Sequence, residues 1–84
     1  MAEEKLIGTI THYFGKIGVG IIKLTDDLSV GDRIHIQGKV SDFEQTVDSI
    51  QIEHQNIEKS EAGKEVGIKL DQSVKEGDEV YKII

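Results

Sequence analysis

Two stretches of this 84-residue chain follow one pattern: an apolar residue, Gly-Asp three positions later, one more residue, then a β-branched residue. The first is Leu28-Ser29-Val30-Gly31-Asp32-Arg33-Ile34 and the second is Val74-Lys75-Glu76-Gly77-Asp78-Glu79-Val80. Glycine suits a positive-φ turn position that a Cβ would penalise. The aspartate that follows can accept hydrogen bonds from nearby backbone amides, and the apolar alternation after it reads as a strand. Gly31, Asp32, Gly77 and Asp78 are therefore expected to be structural turn residues that launch strands. Gly63, in Glu61-Ala62-Gly63-Lys64, is expected at the tight point of a third turn.

The rest of the composition agrees with a small β domain. Thirteen Ile and seven Val stand against four Leu, and β-branched side chains fit a pleated surface better than a helix. Nine glycines and no proline predict tight turns and bulges rather than stiff linkers. A chain of this length buries only about 60–65% of its unfolded surface, so its core is modest. Without cysteine, neither a disulfide nor thiolate zinc can staple the fold. Residues 1–84 read as one domain, with residues 1–4 expected as a disordered tail. The acidic start, Met1-Ala2-Glu3-Glu4-Lys5, resembles neither a signal nor a transit peptide. The apolar run near Val19 to Ile22 is far too short to cross a bilayer. A soluble, cytoplasmic protein is expected.

Strands are predicted over Lys5 to Tyr13, with Leu6, Gly8, Ile10 and His12 on one face, and over Ile17 to Leu24. The second run is apolar almost throughout, as in a strand covered on both faces or one whose glycines admit another backbone. Arg33 to Gln37 follows, with Ile34 and Ile36 inward. Residues 40–57 are ambiguous. Val40, Phe43, Val47 and Ile50 fall at helical spacing, and Ser41-Asp42-Phe43-Glu44 matches a capping box. The many β-branched residues favour a strand instead, with a bulge to reconcile Val47 with Ile50. After a turn at His54-Gln55-Asn56 come a short strand near Ile57, then Glu65 to Leu70 with Val66, Ile68 and Leu70 on one side, then Asp78 to Ile84. The expected fold is all-β, a small closed antiparallel barrel of about six to seven strands.

These residues, in this order, resemble the second, barrel domain of elongation factor Tu-like translation factors. The matching phrases are Gly8-Thr9-Ile10, Gly18-Val19-Gly20-Ile21-Ile22-Lys23-Leu24, Leu28 to Ile36, Val47-Asp48-Ser49-Ile50, Gly63-Lys64-Glu65-Val66-Gly67-Ile68 and Gly77-Asp78-Glu79-Val80. Ser60 stands where that family prefers a small alanine. Ser41-Asp42-Phe43-Glu44-Gln45, together with Val80-Tyr81-Lys82, is also similar to the barrel appended to collagenase-like peptidase relatives. The first resemblance implies contact with ribosomal or transfer RNA, or with a neighbouring translation-related protein, and no chemistry by the barrel itself.

Charge and side-chain chemistry set what else is expected. The net charge is −6, and residues 43–84 hold ten acidic side chains against six in residues 1–42, with five basic ones in each half. A basic stripe of the kind that binds nucleic acid is missing overall, which leaves a patch in the first half as the place for RNA or a partner. Its candidates are Lys5, His12, Tyr13, Phe14, Lys16, Lys23, Arg33, His35 and Lys39. Tyr13 and Phe14 could stack on bases beside Lys16; the plainer reading is that Phe14 and Phe43 plug the barrel ends. His12, His35 and His54 lack metal-ligand spacing. No serine sits in a nucleophile elbow and no phosphate-binding loop is present. The chain is thus expected to be a non-catalytic, standalone module that contacts RNA or a translation-related protein, with no cofactor, metal, nucleotide or membrane. The alternative is a protein-interaction module that docks on a larger enzyme and touches no nucleic acid. Self-association through a surface left bare by missing domains is also expected.

Overall fold

The β-branched runs form strands. A computed structural model describes residues 3–39, 41–53 and 55–84. Val40, His54 and the first two residues of the expected tail lie outside the described residues. Ten strands follow in order: β1 Glu4–Phe14, β2 Val19–Leu24, β3 Leu28–Ser29, β4 Arg33–Gln37, β5 Asp42–Thr46, β6 Ile50–Ile52, β7 Gln55–Ile57, β8 Lys59–Ser60, β9 Glu65–Lys69 and β10 Glu79–Ile83. Eight of them make one antiparallel sheet in the order β5-β4-β10-β1-β2-β9-β6-β7, and β3 pairs with β8 in a separate ribbon. The core is one apolar cluster, with Ile7, Ile22, Leu28, Ile34, Ile36, Ile50 and Val80 fully buried. No helix is long and apolar enough to cross a membrane among the described residues.

Both Gly-Asp phrases fold as expected, and they fold alike. Gly31 and Gly77 have φ of 96° and 93°. In the first turn the Asp32 carboxylate accepts from the Ser29 amide at 2.9 Å, and in the second the Asp78 carboxylate accepts from the Lys75 amide at 3.0 Å. Each turn is then docked on the peptide of one buried apolar residue. Gly31 N–H donates to the Val47 carbonyl while Val47 N–H donates to the Asp32 carbonyl, both at 2.8 Å. Gly77 and Asp78 make the same pair of 2.8 Å bonds with Ile10. Val47 lies just past the end of β5, and Ile10 lies where the β1–β2 register slips. Each turn thus supplies the backbone partners that an interrupted ladder would otherwise leave unmet. Gly63 also has positive φ, at 89°, in the turn before β9.

The structure departs from the sequence reading in four places. Glu3 and Glu4, placed in the expected tail, take part in the sheet: Glu4 opens β1, and the Glu3 carbonyl accepts from Ile84 N–H at 2.7 Å. In β1 the register shifts between Leu6 and Gly8 and again between Ile10 and His12. A bulge sets two residues against one and turns the following side chains over. Ile7 is therefore buried with Gly8 and Ile10, while Leu6 and His12 face out. The segment after Ser41 is strand rather than helix, but it is two strands in place of one bulged one, because β5 pairs with β4 whereas β6 pairs with β9 and β7. Finally, no closed ladder is detected among the described residues, where the eight-stranded sheet runs from β5 to β7.

A side chain spans part of that open seam. Gln45, on β5 and only 3% exposed, donates through Nε2 to the Lys69 carbonyl and accepts at Oε1 from Asp71 N–H, both at 2.8 Å. Its amide thereby acts as one rung of a ladder that the backbone does not make.

Candidate interaction surface

Strand β2 reads apolar on both faces, but the fold covers only one of them. Gly20, Ile22 and Leu24 point into the core, whereas Val19 and Ile21 stay half-buried on the outer face. Beside them the turn from β1 to β2 leaves Phe14 49% and Ile17 62% exposed. These four side chains, with Gln51, Glu53 and Gly67, line a hollow of ≈ 230 Å³. It runs across the strands, because Ile21 pairs with Gly67 and Gly67 with Gln51. Gly67 shapes its floor: a Cβ there would come within 3.3 Å of Val19 Cγ1 and 3.4 Å of Ile21 Cδ1. Without it, Val19 and Ile21 lie across bare backbone. At the β6 end Gln51 donates to Asn56 at 3.1 Å, and at the other His12 stacks on Phe14 with centroids 6.1 Å apart.

The residues expected to make one contact face are scattered. Lys5 is ion-paired with Asp26, which holds the Asp26 carboxyl below its ordinary range and raises the Lys5 ammonium. His12 faces Glu76 at 3.3 Å, and Arg33 lies 3.7 Å from Glu44 with a 3.3 Å bond to Thr46. His35 is held between Glu4 and Asp42, in different surroundings from His12. Lys16 lies exposed beside the hollow, Lys23 is exposed further along β2, and Lys39 is exposed in the turn from β4 to β5. Tyr13 packs against the core. Phe43 is buried as expected, but Phe14 does not plug the core. Among the described residues, Lys5, His12, Arg33 and His35 each have an acidic neighbour, so these four make no common basic surface.

No group of three or more His, Asp or Glu among the described residues could hold a metal ion. Another hollow, ≈ 500 Å³, lies between the β4–β5 turn and the second Gly-Asp turn. Its lysines, Lys39 and Lys75, are matched by Glu76 and Glu79, and its buried carboxylate, Asp78, is committed to the Lys75 amide. The outer face of β2 is the more distinctive surface, because exposed apolar side chains gather there beside a bare backbone floor. Sequence reasoning picked out Phe14, Lys16 and the apolar run. It missed Gly67, whose only signal is a glycine inside an otherwise regular strand pattern.

Known proteins bear on this arrangement. No family model matches the chain. It is 42% identical over 76 residues to an uncharacterised protease of Methanocaldococcus jannaschii, a match that covers 89% of this chain and 19% of that protein. It is 28% identical over 82 residues to a collagenase of Porphyromonas gingivalis, covering 95% of this chain and 23% of the collagenase. The chain therefore spans about a fifth of the length of these relatives. Its fold matches the crystal structure of the C-terminal domain of a Geobacillus thermoleovorans protein described as a U32 peptidase, with a TM-score of 0.87, 16% identity, and coverage of 93% of this chain and 91% of that one. A selenomethionine variant of that domain matches with a TM-score of 0.86 at 15% identity, covering 90% and 96%. The expected classification as a translation factor-like, RNA-binding protein is corrected by these relatives, which are a protease and a collagenase. In sequence and in fold the chain is similar to a segment of U32 peptidase and collagenase proteins.

Proposed function

We propose that this chain is a non-catalytic interaction module that docks on a larger peptidase-type enzyme through the outer face of β2. The observation that carries this reading is the extent of the match. Nearly all of this chain corresponds to about a fifth of two much longer proteins described as a protease and a collagenase. The part that corresponds is a small all-β fold, and the chemistry is assigned to the larger enzyme. The hollow lined by Phe14, Ile17, Val19 and Ile21 supports the choice of surface. Burying such side chains against a partner removes apolar area from water at roughly 25 cal/mol per Å².

A competition experiment tests the reading. The Methanocaldococcus jannaschii relative is divided into its matching segment and the remaining four-fifths, and the two parts are titrated against each other by calorimetry. This chain is expected to compete with that segment, and Ile17→Glu is expected to weaken the competition at least about tenfold, since one desolvated charge costs more than 1.4 kcal/mol. If the segment binds and this chain does not compete, the docking reading fails. If wild-type chain forms a dimer in sedimentation that Ile17→Glu disperses, the groove belongs to a second copy instead.

A further inference from the structure

Across the outer face of four adjacent strands runs a belt of polar side chains. Asp42 lies on the edge strand β5, His35 on β4, Tyr81 on β10 opposite His35 in register, and Glu4 at the start of β1. His35 Nδ1 is 2.7 Å from Glu4 Oε1, and Nε2 is 2.5 Å from Asp42 Oδ1. The ring is only 15% exposed, and the Tyr81 ring lies over it at a centroid distance of 6.4 Å. A carboxylate oxygen only accepts, so both contacts are hydrogen bonds only when both ring nitrogens carry protons. A neutral imidazole keeps one N–H and turns a lone pair toward the other carboxylate.

We propose that His35 is a pH-operated clasp: protonated, it pins both the start of β1 and the edge strand β5 to β4, and when neutral it releases β5. The choice of strand follows from solvation. The Asp42 side chain is 73% exposed and that of Glu4 35%, so Asp42 rehydrates the more readily and the remaining N–H stays with Glu4. Other charges near the belt do not replace the lost bond. Glu44 on β5, opposite His35 in register, is engaged with Arg33 at 3.7 Å. Glu79 on β10 accepts from the Tyr81 hydroxyl at 3.3 Å. Asp42, then Glu4, hold the imidazole above its ordinary pKa by hydrogen bonding to its charged form, which moves release to the alkaline side of the usual histidine range. Freeing the beginning of an edge strand bares backbone donors and acceptors that could pair with another chain.

Nuclear magnetic resonance on the intact chain tests the clasp. The His35 ring is titrated by its own chemical shifts, and amide protection factors, corrected for intrinsic exchange, are followed in β5, β1 and the central strand β2. Protection in β5 is expected to fall with the same midpoint as the His35 titration, while Ile22 on β2 stays protected throughout. Asp42→Asn is expected to lower the His35 midpoint and to abolish the pH dependence of β5 protection. Glu4→Gln is expected to lower the midpoint and keep that dependence. Protection in β5 that stays level through the His35 titration overturns the proposal, and so does an unmoved midpoint in Asp42→Asn.

Discussion

Individual residues carry the turn chemistry on which the strands depend. Gly31 and Gly77 occupy positive φ with no heavy atom within 4 Å of where a Cβ would sit. Substitution there meets backbone strain and no clash, so Gly31→Ala and Gly77→Ala are each expected to lower stability by about 1–2 kcal/mol, measured by urea unfolding. Gly38 is different, since a Cβ would fall 2.0 Å from Asp78 Oδ1 and collide with the carboxylate that caps the second turn. Ser60 offers a gain. Its hydroxyl is buried without a hydrogen-bond partner, and burying an unpaired polar group costs free energy. Ser60→Ala is expected to leave the melting temperature unchanged or to raise stability by up to about 1 kcal/mol, so a loss larger than that shows a missed role for the hydroxyl.

Among the elements, β5 is held by more than its ladder to β4. The Gln45 amide joins it to the carbonyl of Lys69 and the N–H of Asp71, 24 and 26 residues further along the chain. Gln45→Ala removes two hydrogen bonds and leaves those backbone groups without them, an expected loss of about 2–3 kcal/mol. Gln45→Glu keeps the shape but loses the donor to Lys69, and is expected to lose stability as well. Thermal melts of both variants check this, and an unchanged melting temperature in Gln45→Ala removes the amide from any role in holding the seam. The sequence could not announce this residue: between Glu44 and Thr46, a glutamine reads as a surface position. The same holds for β1, where the alternation is regular on paper and the two bulges come from pairing with β10 on one side and β2 on the other.

For the molecule as a whole, His35 ties stability to pH. Below the ordinary imidazole value of 6.5 the ring is charged in both folded and unfolded chains, and its bonds to Asp42 and Glu4 contribute fully. As pH rises through the raised folded-state value, the folded chain gives up its extra proton and that contribution is lost. The urea midpoint is therefore expected to fall across that alkaline window in the wild type, and to fall less in His35→Gln. Equal slopes in the two proteins would place the pH dependence elsewhere. Pairing of charges on folding keeps four basic residues from making a basic face among the described residues. Lys5, His12, Arg33 and His35 come from the less acidic half, and folding sets Glu4, Asp26 and Asp42 of that half and Glu44 and Glu76 of the other beside them.

The all-β class and the two matched turns were already set by the chain's own residues, because β-branched content, glycine at positive φ and an aspartate three residues past its amide partner act over a few neighbouring positions. The inward placement of Ile34, Ile36, Val66 and Ile68 follows from the same short-range alternation. Tertiary structure alone decided the rest: the bulges that turned Ile7 inward and Leu6 outward, the division of residues 42–52 into two strands with different partners, the Gln45 bridge, the His35 clasp and the bare outer face of β2. Each depends on which distant segment lies alongside, and that is settled by how the buried apolar side chains pack into one core, fifteen of them among the described residues, rather than by any local preference.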